Sequence, residues 1–110
     1  MSRVPQLLEF LKDAPQDTFL RYALALEYIK AGQPEEALTW FEGLVASHPE
    51  YIGTYYHLAK LYIKLGQGAN ADKCYADGIA MAKTINDQHA LAELQNAALN
   101  FRMGLTDDED

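Results

Sequence analysis

The sequence has little positive charge, one cysteine and no long apolar run. Nine lysine and arginine residues stand against 16 aspartate and glutamate residues, so the net charge is -7. Nucleic acids and anionic membranes are bound by concentrated positive charge, and this balance argues against both as general partners. No apolar stretch approaches the roughly 20 residues that cross a bilayer. The N-terminal segment also lacks the continuous apolar stretch of a signal peptide, and we expect no membrane insertion.

Residues that would carry catalysis or bind metal are also scarce. The single cysteine, Cys74, cannot form an intramolecular disulfide, which is typical of a cytoplasmic protein. It lies beside Tyr75 on a predicted helix that faces its neighbours, and we expect a packed, unreactive thiol. His48, His57 and His89 are dispersed, and no His or Cys spacing suits a metal. The sequence therefore predicts a cytoplasmic protein that is not an enzyme and needs no cofactor.

What the sequence does contain is a repeat. The stretch "LALEYIKAGQ" begins at Leu24 and "LAKLYIKLGQ" begins at Leu58, 34 positions later, and seven of the ten letters agree. Self-similarity at such a period indicates a fold built from repeated supersecondary units. Within each copy the apolar residues recur at spacings of three and four, which predicts amphipathic helices.

A glycine and a proline separate the two predicted helices of the first copy. Gly32 can adopt the left-handed conformation that ends a helix. Pro34 presets φ in the first turn of the next helix, and Glu35 and Glu36 lie at its positive end. Gly66 ends the corresponding helix of the second copy, so each copy is predicted to be an antiparallel helix pair. Small and aromatic residues recur in register: Ala25 with Ala59, Ala37 with Ala71, Tyr28 with Tyr62 and Phe41 with Tyr75.

Together these residues resemble the tetratricopeptide repeat, a helix–turn–helix unit of about 34 residues. The first unit, residues 18–51, carries Leu24, Ala25, Tyr28, Gly32, Ala37, Phe41 and Pro49 at the expected places. The second, residues 52–85, carries Tyr55, Leu58, Ala59, Tyr62, Gly66, Ala71 and Tyr75. Three positions depart from the family pattern: Arg21 replaces a bulky aromatic, Gly78 an alanine and Lys83 the closing proline. The resemblance implies an all-α solenoid of antiparallel helix–turn–helix units.

The remaining segments are expected to complete that solenoid. Residues 4–13 precede a proline that stands 34 positions before Pro49, and they predict the helix of a leading half-repeat. Residues 86–102 predict a C-terminal capping helix, with Asn86 as its N-cap. The predicted layout is half-repeat, two full repeats and cap, about six helices in a single domain over residues 1–104. The acidic residues 105–110 are expected to form a disordered tail.

The resemblance also implies a binding site, because the first helix of each tetratricopeptide unit lines a concave groove that binds partner peptides or helices. Position by position, the groove residues of the first unit are Phe19, Tyr22, Ala23, Leu26, Ile29 and Lys30. Those of the second unit are Gly53, Tyr56, His57, Lys60, Ile63 and Lys64. We predict binding by all of these except Ala23 and Gly53. For Phe19 and Leu26, burial in the fold and contact with a partner stay open alternatives.

The chemistry of the predicted groove suggests what it binds. Tyr22 and Tyr56 occupy equivalent places, and such aromatics are frequent interface anchors. The set contains no acidic residue although the chain is acidic, and its lysines would attract a negatively charged segment. We expect a non-enzymatic adaptor that binds a peptide or helix of a partner protein, and an acidic segment would suit these lysines. The alternative is a structural protein that forms a homodimer through the apolar part of the same face.

One specialised binding mode of the family is not matched. Some members grip the C-terminal carboxylate of heat-shock chaperones with a clamp of Lys, Asn and Arg side chains. Tyr22 and Leu26 stand where that clamp needs Lys and Asn, and a full third repeat is missing. We therefore do not expect binding of chaperone tails.

Overall fold

In the computed structural model, which describes residues 2–105, the chain forms six α-helices and no strand within that range. The helices are α1 (Val4–Asp13), α2 (Thr18–Lys30), α3 (Pro34–Ser47), α4 (Gly53–Lys64), α5 (Gly68–Thr84) and α6 (Gln88–Arg102). The predicted all-α helix–turn–helix fold is confirmed. Of the tail predicted at residues 105–110, all but Leu105 lies outside the described residues.

The chain divides into two compact units. Of the described residues, the first unit comprises 2–54 and holds α1, α2 and α3, and the second comprises 55–105 and holds α5, α6 and nearly all of α4. The boundary falls in the first turn of α4. The prediction of a single domain over residues 1–104 stays a prediction.

The core of the first unit is built from the apolar stripes that the sequence predicts. Leu7 and Leu11 of α1 pack with Leu24 of α2, and the side chain of Trp40 lies against this cluster. On α3, residues at spacings of four and three are completely buried: Ala37, Phe41 and Leu44. Burying a Leu or Phe side chain stabilises a fold by roughly 1.5–3 kcal/mol. These stripes are therefore what holds the three helices together.

The second unit repeats this pattern, with alanines at the same repeat positions as in the first unit. Ala59 of α4 and Ala71 of α5 have no exposed surface, and Leu94 of α6 is almost completely buried. Tyr75 of α5 is also buried, and its ring lies 6.3 Å from the ring of Phe101. Small side chains at the crossings leave room for such large aromatic neighbours.

Helices α2 and α4 end in the same way, as their glycines predict. Gly32 has φ of 75° and Gly66 has φ of 76°, in the left-handed region that favours glycine. After α2, the amide of Gln33 donates to the carbonyl of Tyr28 at 2.9 Å, and the corresponding bond after α4 measures 2.8 Å. This backbone arrangement is a Schellman motif, and it satisfies carbonyl groups that a helix end leaves unpaired.

Helix α5 ends in the same motif, with asparagine in place of glycine. Asn86 has φ of 61°, and the amide of Asp87 donates to the carbonyl of Ala82 at 2.9 Å. The prediction that Asn86 is the N-cap of α6 is therefore wrong. The N-cap is Asp87, whose carboxylate accepts from the amide of Ala90 at 3.0 Å. Asparagine tolerates the left-handed conformation, so Asn86 takes the place that glycine takes elsewhere.

Helices α1 and α3 end differently, because each precedes a proline. Ala14 and His48, 34 positions apart, have nearly the same backbone angles, with φ of -140° and -138°. A residue before proline is driven out of the helical region by the proline ring. The corresponding proline is replaced by Lys83 in α5, and that helix has 17 residues where α3 has 14. The extra residues lengthen α5 by about 4.5 Å.

Candidate functional site

The predicted binding residues of the first unit lie on one side of α2, away from Leu24. Asp17 fixes the start of this helix, since its carboxylate accepts from the amide of Leu20 at 2.9 Å. From that start, helical periodicity places the predicted residues on a common surface. We call this surface the α2 face, and it comprises Phe19, Tyr22, Leu26, Ile29 and Lys30.

The aromatic residues of the α2 face are held differently. Phe19 is 63% exposed, so burial is excluded for it. Tyr22 is half-buried, with its ring edge-to-face against Phe41 at 6.2 Å and against Tyr51 at 5.4 Å. These contacts fix the orientation of the Tyr22 ring and leave part of it at the surface. Leu26, whose burial was an open alternative, is also only partly buried.

The charge of Lys30 is balanced within the first unit. Its ammonium group lies 3.5 Å from a carboxylate oxygen of Glu27, whose side chain is 11% exposed. The same carboxylate accepts from the backbone amide of Arg3 at 3.5 Å. Sequence reasoning overlooked Glu27, although its spacing of three residues from Lys30 on one helix is the signal for such a pair. Lys30 therefore adds little positive charge to the α2 face.

The predicted binding residues of the second unit lie on the corresponding side of α4. We call this surface the α4 face, and it comprises Tyr56, His57, Lys60, Ile63 and Lys64. The ammonium group of Lys60 lies 5.4 Å from the centre of the Tyr56 ring, within the range of a cation–π interaction. The Tyr56 ring is also edge-to-face with the imidazole of His57 at 5.5 Å. Tyr56 therefore holds a lysine and a histidine together at the surface of one helix.

The imidazole of His57 is disfavoured as a cation. Burial lowers its pKa from the usual 6.5, and the nearby charge of Lys60 lowers it further. Glu93 of α6 acts in the opposite direction. At neutral pH the imidazole is therefore mainly uncharged, and the positive charge of the α4 face comes from its two lysines.

Two other basic residues of the second unit have carboxylate partners, whereas Lys83 of α5 has none among residues 2–105. Lys73 lies 2.8 Å from Asp77, and the guanidinium of Arg102 lies 3.1 Å from Asp72. Within residues 2–105, no carboxylate lies within ion-pair distance of Lys60 or Lys64. The α4 face thus presents two positive charges that the described part of its own unit does not neutralise.

The described residues also bear on metal binding, membrane insertion and thiol chemistry. Among residues 2–105, no group of three or more His, Cys, Asp or Glu side chains is placed to hold a metal ion. No helix in that range is both long and apolar enough to cross a bilayer. Burial raises the pKa of the Cys74 thiol to about 12, and the thiol donates to the carbonyl of Tyr55 at 3.4 Å. Such a thiol is a poor nucleophile at neutral pH.

Comparison with known proteins identifies the family. A family model described as tetratricopeptide repeat matches residues 28–99, more than half of the chain. The chain belongs to the tetratricopeptide repeat family. Tetratricopeptide repeats are in general protein-interaction modules, and this coarse functional class, which the sequence suggested, is confirmed. The family is generally non-enzymatic.

Solved structures support the same assignment. A crystal structure of a tetratricopeptide repeat domain protein from Salinibacter ruber is 48% identical, with a TM-score of 0.73, and the match covers 76% of this chain and 94% of that one. A solution structure of a tetratricopeptide repeat domain protein from the same organism is 45% identical, with a TM-score of 0.78. That match covers 87% of this chain and 96% of the Salinibacter chain.

A third solved structure shares the fold alone. It is a protein from Bordetella parapertussis, 23% identical, with a TM-score of 0.81 over 94% of this chain and 90% of that one. No curated protein sequence gives a significant match.

Proposed function

We propose that this tetratricopeptide repeat protein is a non-enzymatic adaptor that binds a peptide or a helix of a partner protein through its α2 and α4 faces. The observation that carries the proposal is the apolar surface of α2, where Phe19 is 63% exposed and Tyr22, Leu26 and Ile29 are only partly buried. Exposed apolar surface of this kind marks interaction sites in proteins. Membership in a family of protein-interaction modules supports the same function.

The residues of the α2 face suit an interface more than a catalytic site. Tyr22 keeps a fixed ring orientation through its contacts with Phe41 and Tyr51, so little conformational freedom is lost when a partner packs against it. Large aromatic side chains with fixed positions are typical binding anchors. The single cysteine suits a reducing compartment, and location in the cytoplasm stays a prediction.

The first unit offers a matched pair of phenylalanines for a test. Phe19 is 63% exposed on the α2 face, and Phe10 is 60% exposed on α1, outside that face. Wild type, Phe19→Ser and Phe10→Ser would each be used to capture partners from a lysate of the source cell. We expect one protein to be retained by wild type and by Phe10→Ser, and to be depleted by Phe19→Ser.

Two outcomes would contradict this assignment. If Phe19→Ser retains the partner as well as wild type does, the α2 face does not bind it. If both variants lose the partner equally, general stickiness of exposed phenylalanine explains the capture.

Self-association is the second candidate, because the same exposed apolar surface could bury itself against a second copy. Light scattering over a range of protein concentrations separates the two functions. A dimer that dissociates in Phe19→Ser and persists in Phe10→Ser would favour the structural role, whereas a monomeric wild type favours the adaptor.

A further inference from the structure

The α4 face differs in chemistry from the α2 face. Lys60 and Lys64 occupy the positions that Leu26 and Lys30 occupy 34 residues earlier. Lys30 has Glu27 as its ion-pair partner at 3.5 Å, whereas Lys60 and Lys64 have no carboxylate partner among residues 2–105. Within the described part of the chain, α4 is therefore the helix that presents two unneutralised lysines on one face.

A shortage of acidic groups does not explain this pair. The chain has 16 acidic residues against nine basic ones, and Lys73 and Arg102 in the same unit each lie within 3.1 Å of an aspartate oxygen. Two lysines four positions apart on one helix repel each other. Glu93 of α6 acts on the pKa of the neighbouring His57, but it forms no ion pair with either lysine. The fold thus keeps two adjacent charges that a complementary partner would neutralise.

From this arrangement we infer that the α4 face binds an acidic segment of a partner protein, with two side-chain carboxylates seated on Lys60 and Lys64. The inference rests on the proposed function, because its occupant is part of a bound protein. It adds that the segment is acidic and that its acidic part contacts the second unit.

Helical geometry also sets the spacing of the two carboxylates. Residues four apart on a helix have Cβ atoms about 5–6 Å apart. In an extended peptide, alternate residues point to the same side and lie about 6.6 Å apart. An extended segment with acidic residues at alternate positions therefore matches the two lysines. Tyr56 stabilises the Lys60 ammonium by its ring, 5.4 Å away.

A synthetic peptide would test this inference directly. The probe is a short fluorescent peptide with both ends blocked, in which glutamate alternates with leucine. Its control has glutamine at every glutamate position. Blocking the C-terminus removes the terminal carboxylate, so that only side-chain carboxylates are tested. Binding to the full chain is followed by fluorescence anisotropy at low and high salt.

The protein variants are matched in charge. The variant that combines Lys60→Gln with Lys64→Gln removes two charges from the α4 face. The variant that combines Lys73→Gln with Lys83→Gln removes the same number from exposed positions on α5. We expect the first to weaken binding by roughly threefold to thirtyfold, the range that two exposed ion pairs provide. The α5 variant should leave the affinity for the peptide unchanged. High salt should weaken peptide binding more in wild type than in the α4 variant, because wild type keeps both lysine charges.

Three results would overturn the inference. Equal weakening by both variants would mean a general charge effect, and equal affinity for the glutamine peptide would remove the requirement for carboxylates. If the glutamate peptide does not bind wild type at all, the α4 face has no acidic ligand of this kind. None of these results touches the Phe19→Ser comparison, so the proposed function can fail or survive independently.

Discussion

A β-carbon added at Gly78 would lie 2.7 Å from the Cβ atom of Tyr55 and 2.9 Å from its Cγ atom. The side chain of Tyr55, 3% exposed, occupies the space that an alanine at position 78 would need. Position 78 is one where the tetratricopeptide pattern favours alanine, and Tyr55 gives the physical reason for glycine here. The two residues are therefore adapted to each other within the second unit.

This contact predicts the effect of filling Gly78. Gly78→Ala should destabilise the protein by about 1–3 kcal/mol, because the backbone or the Tyr55 ring must move to admit a methyl group. Chemical denaturation followed by circular dichroism measures the change in the free energy of unfolding.

A second helical glycine provides the control for that substitution. A Cβ atom at Gly43 would meet only the end of the Arg21 side chain, at 3.2 Å, which can move. Alanine is favoured over glycine within a helix by up to about 1 kcal/mol. Gly43→Ala should therefore equal wild type in stability or exceed it. If Gly78→Ala is also as stable as wild type or more stable, the Tyr55 side chain does not resist a methyl group at position 78.

The left-handed conformation of Asn86 predicts opposite effects for two small replacements. At φ of 61°, Asn86→Ala should cost about 1 kcal/mol, because a β-carbon is strained there. Asn86→Gly should be neutral or slightly stabilising, since glycine adopts this conformation without strain. Thermal unfolding of the two variants measures the difference, and an alanine variant as stable as the glycine variant would contradict the assigned turn.

The buried thiol predicts slow chemistry in the folded protein. With the pKa of Cys74 raised to about 12, only about one thiol in 10,000 is ionised at pH 8. A colourimetric disulfide reagent should therefore react slowly with the native protein and rapidly after denaturation. Rapid, complete labelling of the native protein would show that the thiol is accessible.

The pKa of His57 should respond to its two charged neighbours in opposite directions. Burial is the main cause of its lowered pKa, so Lys60→Gln should raise the value and still leave it below 6.5. Glu93→Gln should lower it further, because the nearby negative charge favours the imidazolium. Nuclear magnetic resonance titration of the imidazole protons measures each shift, with Lys83→Gln as the control. A pKa unchanged by Lys60→Gln would mean that the lysine lies farther from the imidazole.

The same shift has a consequence for stability. Because the unfolded chain binds a proton at His57 more readily than the folded chain does, protonation favours unfolding. The contribution of His57 to stability is complete above pH 6.5 and is lost as the pH falls through the lowered pKa of the folded state. A His57→Gln variant should lose less stability than wild type over that acidic range, as measured by denaturation at each pH.

The sequence predicts the helices well where local chemistry decides their ends. Gly32 and Gly66 are recognisable because left-handed turns favour glycine, and Ala14 and His48 end their helices because a proline follows each. Asn86 was misassigned because asparagine suits both an N-cap and a left-handed turn. Which role it takes depends on where α5 ends, and the missing proline at Lys83 lets that helix continue to Thr84.

The candidate site is less predictable from the sequence. The 34-residue register carries the family's groove positions onto α2 and α4, but it does not reveal which charges are already paired. The partner of Lys30 is Glu27, a residue whose burial depends on packing in the first unit. The field of Glu93 at His57 joins residues 36 positions apart in the chain. The spacing of three residues on one helix signals the first relationship, but nothing in the periodicity signals the second.

The packing of Trp40 and Cys74 gives the chain two natural reporters. The only tryptophan packs against the core of the first unit, and the only cysteine is buried in the second. Tryptophan fluorescence therefore follows unfolding of one half, and thiol labelling follows unfolding of the other, with no mutation or attached dye. In a repeat protein, where stability divides into terms for individual units and their interfaces, the two signals measure how cooperatively the halves unfold.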